Sequence, residues 1–213
     1  MKLLEKIRKP FRFTFFNASF ILIGVNVGVY LLIAMLPQLQ FYLAMNPAYV
    51  IQGKMYWQFF TYMFVHSGLT HLIFNMLGLF FFGHSVERAL GSKEFLLLYL
   101  LSGTVCGIVS FFIYLAGGAY LVFLLGASGA IYAVLLAYAV LFPRSQIFIW
   151  GVLPVPAPLL IAIYAGIEIA NQLLNIRSGV AHMTHLTGFA FAWIYFMVRL
   201  GMSPWKEWKK AYH

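Results

Sequence analysis

The chain contains no aspartate and only one cysteine, Cys106, among its 213 residues. Without aspartate, no catalytic triad or metal site that needs this residue can form within the chain. With a single cysteine, intramolecular disulfides and cysteine-rich metal sites are also excluded. Because Cys106 lies in an apolar run, we expect it to be a small buried side chain.

Charged residues of any kind are scarce, at 9% of the chain, compared with about 25% in soluble domains. Hydrophobic residues make up 63%, compared with about 45–50% in soluble domains, and the mean hydropathy is +0.88. This composition excludes a soluble globular domain, a disordered chain and a nucleic-acid-binding domain. It predicts a multi-pass membrane protein whose surroundings are the lipid bilayer.

Six apolar segments are candidates for helices that cross the bilayer. We therefore predict an all-α bundle of six transmembrane helices, which forms one membrane-embedded domain over residues 1–213. The predicted spans cover residues 18–36, 70–86, 95–116, 128–142, 158–175 and 181–200. The aromatic segment 37–69, between the first two spans, is expected to lie in the membrane interface.

Basic residues are distributed unevenly between the two ends of these spans. Twelve of the 14 lysines and arginines fall on the side that carries both termini, and only Lys54 and Arg177 fall on the other. The positive-inside rule then places both termini in the cytoplasm. This topology and anionic lipid headgroups explain the net charge of +9, and no nucleic-acid partner is needed.

Polar side chains are concentrated where the second, fourth and sixth spans begin, on the extracytoplasmic side. His71 and Asn75 lie four residues apart, on one face of the second span. Ser128 begins the fourth span, and His182 and His185 lie in the first turn of the sixth. Because membrane spans tolerate few polar side chains, this set is the candidate functional site.

The fourth span is too short to cross the bilayer alone. Residues 128–142 extend about 22 Å as a helix, whereas the hydrocarbon core is about 30 Å thick. We therefore expect Ser128 to lie below the outer surface in a water-accessible pit, with the apolar segment 119–125 entering from above.

Such a pit suits acyl transfer by a serine–histidine dyad. The Ser128 hydroxyl needs a base to become a nucleophile, and His185 is suited to that task near neutral pH. Free backbone N–H groups at the start of the fourth span, with His71 and Asn75, are candidate donors to an oxyanion. Tyr132, four residues after Ser128, is expected to pack on the His185 ring.

Three short motifs resemble those of the rhomboid family of intramembrane serine proteases: His71-Leu-Ile-Phe-Asn75, Gly126-Ala-Ser128-Gly129 and His185-Leu-Thr-Gly188. They occur in the family's order and at similar spacing, and the resemblance covers about residues 15–200. It implies that Ser128 is the nucleophile and His185 the base. It also implies that His71, Asn75 and the backbone N–H of the serine support the oxyanion, and we assign Gly126 and Tyr132 to the same supporting group.

The resemblance further implies a serine endopeptidase of the minimal six-span type. It would cleave transmembrane segments of membrane proteins near the extracytoplasmic face, with no cofactor and no metal ion. Easily unwound segments are the expected substrates, and the oligomeric state stays open. Because no cleavable signal peptide or transit peptide is evident, we expect the protein in the inner membrane of a bacterial cell.

Some positions depart from the family pattern or allow a second interpretation. Small residues form a row at Gly129, Ala133 and Ala137 in the fourth span and at Gly188 and Ala192 in the sixth, which predicts close packing of the two helices. The second position of the sixth-span row is a glycine in the family and is Ala192 here. The arginine that commonly follows the first-loop tryptophan, Trp57, is Gln58 here. His182, three residues before His185, is a second candidate base, but the spacing to Gly188 favours His185.

Two other functions account for part of this pattern. A transporter or metal carrier could use five side chains of types that bind zinc: His66, His71, His182, His185 and Glu168. A rhomboid-like protein that binds membrane proteins without cutting them is the third hypothesis, although such proteins usually lack the serine or the histidine. Glu168 itself is interpreted as a hydrogen-bonded structural carboxyl, with a proton or ion pathway as the alternative.

Overall fold

The computed structural model describes residue 5 and residues 7–149, 151–174 and 182–212, and within these residues the chain is mostly helical. The longer helices are α1 (Ala18–Met35), α2 (Leu69–Leu90), α3 (Ser92–Ala116), α4 (Ser128–Leu141), α5 (Ala157–Leu173) and α6 (His182–Leu200). A shorter helix, α7 (Pro204–Tyr212), follows α6 after a bend of 89°. π-helical turns lie within α2, at Leu79–Gly83, and within α6, at Phe196–Leu200.

Three of these helices, α1, α2 and α3, are long and apolar enough to cross a membrane. Helices α6 and α7 meet the same criterion as a bent pair, so the described residues contain three to four candidate spans. Helices α4 and α5 are apolar but shorter, with 14 and 17 residues. The count of six spans and the cytoplasmic placement of both termini therefore stay predictions.

Helix α4 lies at the centre of the bundle, where ten of its 14 residues are buried. Small side chains let neighbouring helices approach it closely. The approach between α4 and α6 is so close that a Cβ atom on Gly188 would lie 2.2 Å from the carbonyl oxygen of Gly129. Ala133 and Ala137 continue the small-residue row on α4 and are fully buried. These contacts set the distance between the first turns of α4 and α6.

Helix α3 also contacts the first turn of α6. The hydroxyl oxygens of Ser110 and Thr184 are 2.6 Å apart, and the Cys106 thiol donates a hydrogen bond to the Thr184 carbonyl at 3.4 Å. Cys106 is buried, as predicted. The first turn of α6 is therefore held by polar contacts as well as by close packing.

Between α1 and α2 the chain forms short helices at Leu39–Leu43, Pro47–Gln52 and Gln58–Thr61, and a 3₁₀ turn at Tyr62–Phe64. The buried Gln58 side chain accepts a hydrogen bond from the Asn46 backbone N–H at 3.0 Å and donates one to the Phe41 carbonyl at 2.9 Å. Two backbone hydrogen bonds between Met45 and Leu124 tie this segment to the residues that precede α4. The glutamine that departs from the family pattern thus holds the first loop together.

Glu87, near the end of α2, anchors the start of α1. Its carboxylate accepts hydrogen bonds from the backbone N–H groups of Ala18 and Ser19, at 2.6 and 2.9 Å. The Ser19 and Ser92 hydroxyls donate two more, at 2.7 and 2.5 Å. A carboxylate at a helix N-terminus satisfies otherwise unpaired N–H groups and interacts favourably with the helix dipole. This contact fixes α1 against α2 and α3.

The described residues are mostly helical, which agrees with the predicted all-α class, but they also include a short hairpin that was not predicted. Strand β1 (Gln146–Ile149) pairs antiparallel with β2 (Leu153–Pro156) between α4 and α5. The Ile-Phe-Ile run of β1 has the β-branched and aromatic residues that favour strands, and Gly151 adopts the positive φ of 71° that the tight turn requires. Prolines are tolerated in β2 because a two-stranded sheet has only edge strands.

Candidate active site

Ser128 and His185 are in direct contact. The Oγ atom of Ser128 is 2.7 Å from Nε2 of His185, which is a hydrogen-bond distance. Ser128 is the first residue of α4, and His185 lies in the first turn of α6. The close packing of Gly129 against Gly188 brings these two turns together. An imidazole in this position can accept the serine proton.

Tyr132 lies one helical turn after Ser128 and stacks on the His185 ring. The ring centroids are 4.1 Å apart, and the ring planes differ by 14°. The Tyr132 hydroxyl donates a hydrogen bond to Oε1 of Glu168 at 2.6 Å. The stacking restricts rotation of the imidazole, so that its Nε2 stays directed at Ser128.

Glu168, from α5, is the residue whose contacts the sequence analysis missed. Its Oε1 is 2.8 Å from Nδ1 of His185, and its Oε2 is 2.5 Å from Nδ1 of His182. The carboxylate is buried, with 5% of the residue exposed. A signal was present in the sequence, because ionisable residues within membrane spans are rare and commonly functional.

His71, from the first turn of α2, lies against the loop that leads to Ser128. A Cβ atom on Gly126 would be 2.6 Å from Cε1 of His71, and Gly126 has a φ of 109°. Both the close contact and the backbone conformation require glycine at this position. Nδ1 of His71 is 3.1 Å from the Ser67 hydroxyl, which leaves Nε2 on the Gly126 side of the ring.

Asn75 lies one turn further along α2 and is largely buried. Its Nδ2 donates a hydrogen bond to the His71 carbonyl at 2.8 Å. This bond uses one of the two amide protons and leaves the second for another acceptor. Asn75, His71, Ser128 and His185 all line the same cavity.

This cavity has a volume of about 1750 Å³, larger than the ~300–1,000 Å³ typical of small-molecule sites. Away from the polar cluster its walls are mainly apolar. Apolar and aromatic lining residues from α2, α4, α5 and β1 include Phe74, Phe81, Leu135, Ile147, Leu160 and Tyr164. A space of this size and character accommodates a segment of apolar polypeptide beside the serine.

His66, in the segment before α2, is buried beside this cluster. Its ring centroid is 5.1 Å from that of His71. Burial, and then the positive charge that His71 carries when protonated, lower the pKa of His66 from its ordinary value to about 4. Neither ring nitrogen has a hydrogen-bond partner among the described residues. His66 is therefore a neutral packing group near pH 7.

The histidines of the metal-carrier hypothesis are not assembled as a metal site. Across residues 7–149, 151–174 and 182–212, no three histidine, cysteine or acidic side chains meet in an arrangement that could hold a metal ion. Within the cluster, Glu168 instead contacts two histidines through hydrogen bonds.

A sequence model described as the Rhomboid domain matches residues 53–201, well over half of the chain. The chain belongs to the rhomboid family. The matched region includes every polar residue of the site described above. The chain has rhomboid relatives and contains helices that are long and apolar enough to cross a bilayer, so the protein is a membrane protein.

Individual relatives include bacterial and mitochondrial rhomboids. The chain is 36% identical to Rhomboid protease GlpG of Haemophilus influenzae over 94 residues, which are 44% of this chain and 46% of that protein. It is 34% identical to Rhomboid protein 1, mitochondrial, of Saccharomyces cerevisiae over 194 residues, which are 86% of this chain and 55% of that protein. Rhomboid protease GluP of Bacillus subtilis is 39% identical over 99 residues, 46% of this chain and 18% of that protein. The chain thus spans about half the length, or less, of these relatives.

Proposed function

We propose that this rhomboid is an intramembrane serine endopeptidase, with Ser128 as nucleophile and His185 as general base. The observation that carries the proposal is the 2.7 Å contact between Ser128 Oγ and His185 Nε2 in a cavity large enough for polypeptide. The names of two relatives, GlpG and GluP, describe them as proteases, which supports the same chemistry here.

The reaction begins when Nε2 of His185 takes the proton of the Ser128 hydroxyl. The freed electron pair of Oγ attacks the carbonyl carbon of the scissile bond, and the carbonyl π electrons move onto its oxygen. When the tetrahedral intermediate collapses, the C–N bond breaks and the leaving amine takes the proton from His185. Water then gives a proton to His185 while its oxygen attacks the carbonyl carbon of the acyl ester. As this second intermediate collapses, the C–O bond to Ser128 breaks and His185 returns the proton to Oγ, which releases the acid and restores the serine.

The oxyanion of the intermediate needs hydrogen-bond donors that are in place before the reaction. The backbone N–H of Ser128, at the start of α4, is one such donor, and Nε2–H of His71 and the free amide proton of Asn75 are the others. Gly126 supports this group because its bare backbone allows His71 to lie against the loop. Removal of a single such donor costs on the order of 3 kcal/mol of transition-state stabilisation.

The proposed substrates are transmembrane segments of other membrane proteins. An intact helix hides its carbonyl groups in hydrogen bonds, so the segment must unwind before Ser128 can reach the scissile carbonyl. Segments with glycine, proline or polar residues unwind most readily. The apolar cavity walls contributed by α2 and α5 favour entry of the substrate between these two helices.

The membrane topology is part of the proposal. With six spans and both termini in the cytoplasm, the starts of α2, α4 and α6 face the extracytoplasmic side, and cleavage occurs near that face. For the compartment we propose the bacterial inner membrane. The alternative is a mitochondrial membrane, because one of the relatives is named as mitochondrial. Fractionation of the native cell would distinguish the two compartments.

Labelling with a fluorescent fluorophosphonate tests the activated serine directly. We expect the detergent-purified protein to be labelled, and the Ser128→Ala and His185→Ala variants to lose labelling. Ser102→Ala is the matched control, because it removes a buried hydroxyl of α3 whose hydrogen bonds go to carbonyls of its own helix. Loss of labelling in Ser102→Ala with a native unfolding profile would contradict the assignment of Ser128.

The competing functions predict different results in the same preparation. A protein that only binds membrane segments would retain a transmembrane reporter without cutting it, and neither variant would change that binding. A metal carrier would purify with zinc, or bind it in a titration, and would lose it on removal of His182 or His71. Either result, together with absent labelling of folded protein, would contradict the protease proposal.

A further inference from the structure

Glu168 occupies a position that a serine–histidine dyad does not require. It comes from α5, whereas the serine and the base come from α4 and α6. Its carboxylate nevertheless contacts Nδ1 of His185 at 2.8 Å, on the far side of the ring from Ser128. The three side chains therefore form a continuous chain of hydrogen-bonding atoms: Ser128 Oγ, His185 Nε2, His185 Nδ1 and Glu168 Oε1.

Two further donors hold the carboxylate in this orientation. The Tyr132 hydroxyl donates to the same oxygen, Oε1, at 2.6 Å, and Nδ1 of His182 contacts the other oxygen at 2.5 Å. Glu168, His182 and His185 are all buried. A buried carboxylate is costly unless it is paired and hydrogen-bonded, and here both of its oxygens have partners. The orientation of the carboxylate is thus set by three helices together.

The hydrogen bond at Nδ1 determines which nitrogen of His185 carries the proton. A carboxylate can only accept, so Nδ1 must be the protonated nitrogen. The unprotonated Nε2 then faces Ser128 and is able to take its proton. When it does, both ring nitrogens bear protons and the imidazolium is positive, and the adjacent carboxylate stabilises that charge.

We infer that Glu168 is a positioning residue that completes a Ser128–His185–Glu168 triad, in which it fixes the tautomer of His185 and stabilises its protonated form. The inference rests on the proposed protease function and adds a carboxylate to it. Tyr132 and His182 orient Glu168 in turn.

The test compares Glu168→Gln with wild type in detergent, by kcat and KM on a transmembrane reporter and by the rate of fluorophosphonate labelling. Glutamine has the same shape, but its amide can donate to Nδ1 and so favours the wrong tautomer. We expect kcat to fall about 10²–10⁴-fold, as the analogous change does in serine proteases, with KM within a factor of about three. Glu168→Asp keeps the carboxylate, so we expect at least about tenfold higher kcat than in Glu168→Gln.

Glu94→Gln is the matched control, because Glu94 is also a buried carboxylate but pairs with Arg199 and Tyr195, outside the candidate site. Its kcat per folded molecule should equal that of wild type. Imidazole ¹⁵N spectra give a second readout, in which His185 is protonated at Nδ1 in wild type and at Nε2 in Glu168→Gln. Neither readout would change if Glu168 only stabilised the fold.

The outcomes separate this inference from the proposed function. If Ser128→Ala and His185→Ala abolish cleavage while Glu168→Gln cleaves within about threefold of wild type, the dyad stands and the triad is wrong. If Ser128→Ala still cleaves, the protease mechanism itself is wrong. If Glu168→Gln and Glu168→Asp lose activity only in proportion to the loss of folded protein, the role of Glu168 is structural and the inference is refuted.

Discussion

Substitution of Gly188 by alanine tests whether the contact between α4 and α6 sets the catalytic distance. The added Cβ would lie 2.2 Å from the Gly129 carbonyl oxygen, whereas an ordinary van der Waals contact begins near 3.4 Å. The two first turns must therefore separate by about 1 Å, and overpacking of this kind costs about 1–3 kcal/mol. Separation by that amount takes Ser128 and His185 beyond a good hydrogen bond, so we expect about a 10²-fold loss of kcat.

The assay measures reporter cleavage and fluorophosphonate labelling for Gly188→Ala at a temperature where the variant stays folded. Gly166→Ala on α5 is the control, because nothing lies within 4 Å of its added Cβ and activity should be unchanged. Wild-type cleavage by Gly188→Ala would refute the reasoning, since it would mean that the distance between Ser128 and His185 does not depend on this close approach.

Three further predictions concern the support of the site. Gly126→Ala places a Cβ 2.6 Å from the His71 ring at a positive φ, so we expect at least a tenfold loss of kcat in the reporter assay, from strain and a displaced oxyanion donor. Glu87→Ala leaves four buried donors without their acceptor and should lower the free energy of unfolding by about 3 kcal/mol. Denaturant titration measures this loss, and the fraction that stays folded should cleave the reporter as wild type does. The lowered pKa of His66 means that the folded state binds fewer protons than the unfolded state, so stability is lost as pH falls from about 6.5 towards 4. This loss amounts to as much as about 3 kcal/mol, and the unfolding midpoint of His66→Phe should fall less steeply over that range.

Local spacing was sufficient to predict much of the polar cluster. Tyr132 lies one helical turn from Ser128, which predicts a shared face, and the structure stacks it on His185. Small residues at Gly129 and Gly188 predict close helix packing, and their backbones are in contact. Such features follow from periodicity within one helix or from residue size, both of which are visible in the sequence.

Contacts that depend on how helices rotate against one another could not be predicted in the same way. Glu168 meets His185 only because α5 turns that face towards α6, and no spacing in the sequence specifies this rotation. The β1–β2 hairpin was missed because its second strand contains Pro154 and Pro156, which normally argue against a strand. The role of Gln58 in the first loop likewise depends on backbone carbonyls that only the folded segment brings together.

The most direct test of the central claim is cleavage of a transmembrane reporter by the protein in liposomes, with the products identified by mass spectrometry. The account predicts one main cut within the outer part of the reporter's transmembrane segment. It also predicts that Ser128→Ala and His185→Ala leave the reporter intact while still inserting and folding. An equal yield of the same products from Ser128→Ala would contradict the assignment of this serine and, with it, the proposed mechanism.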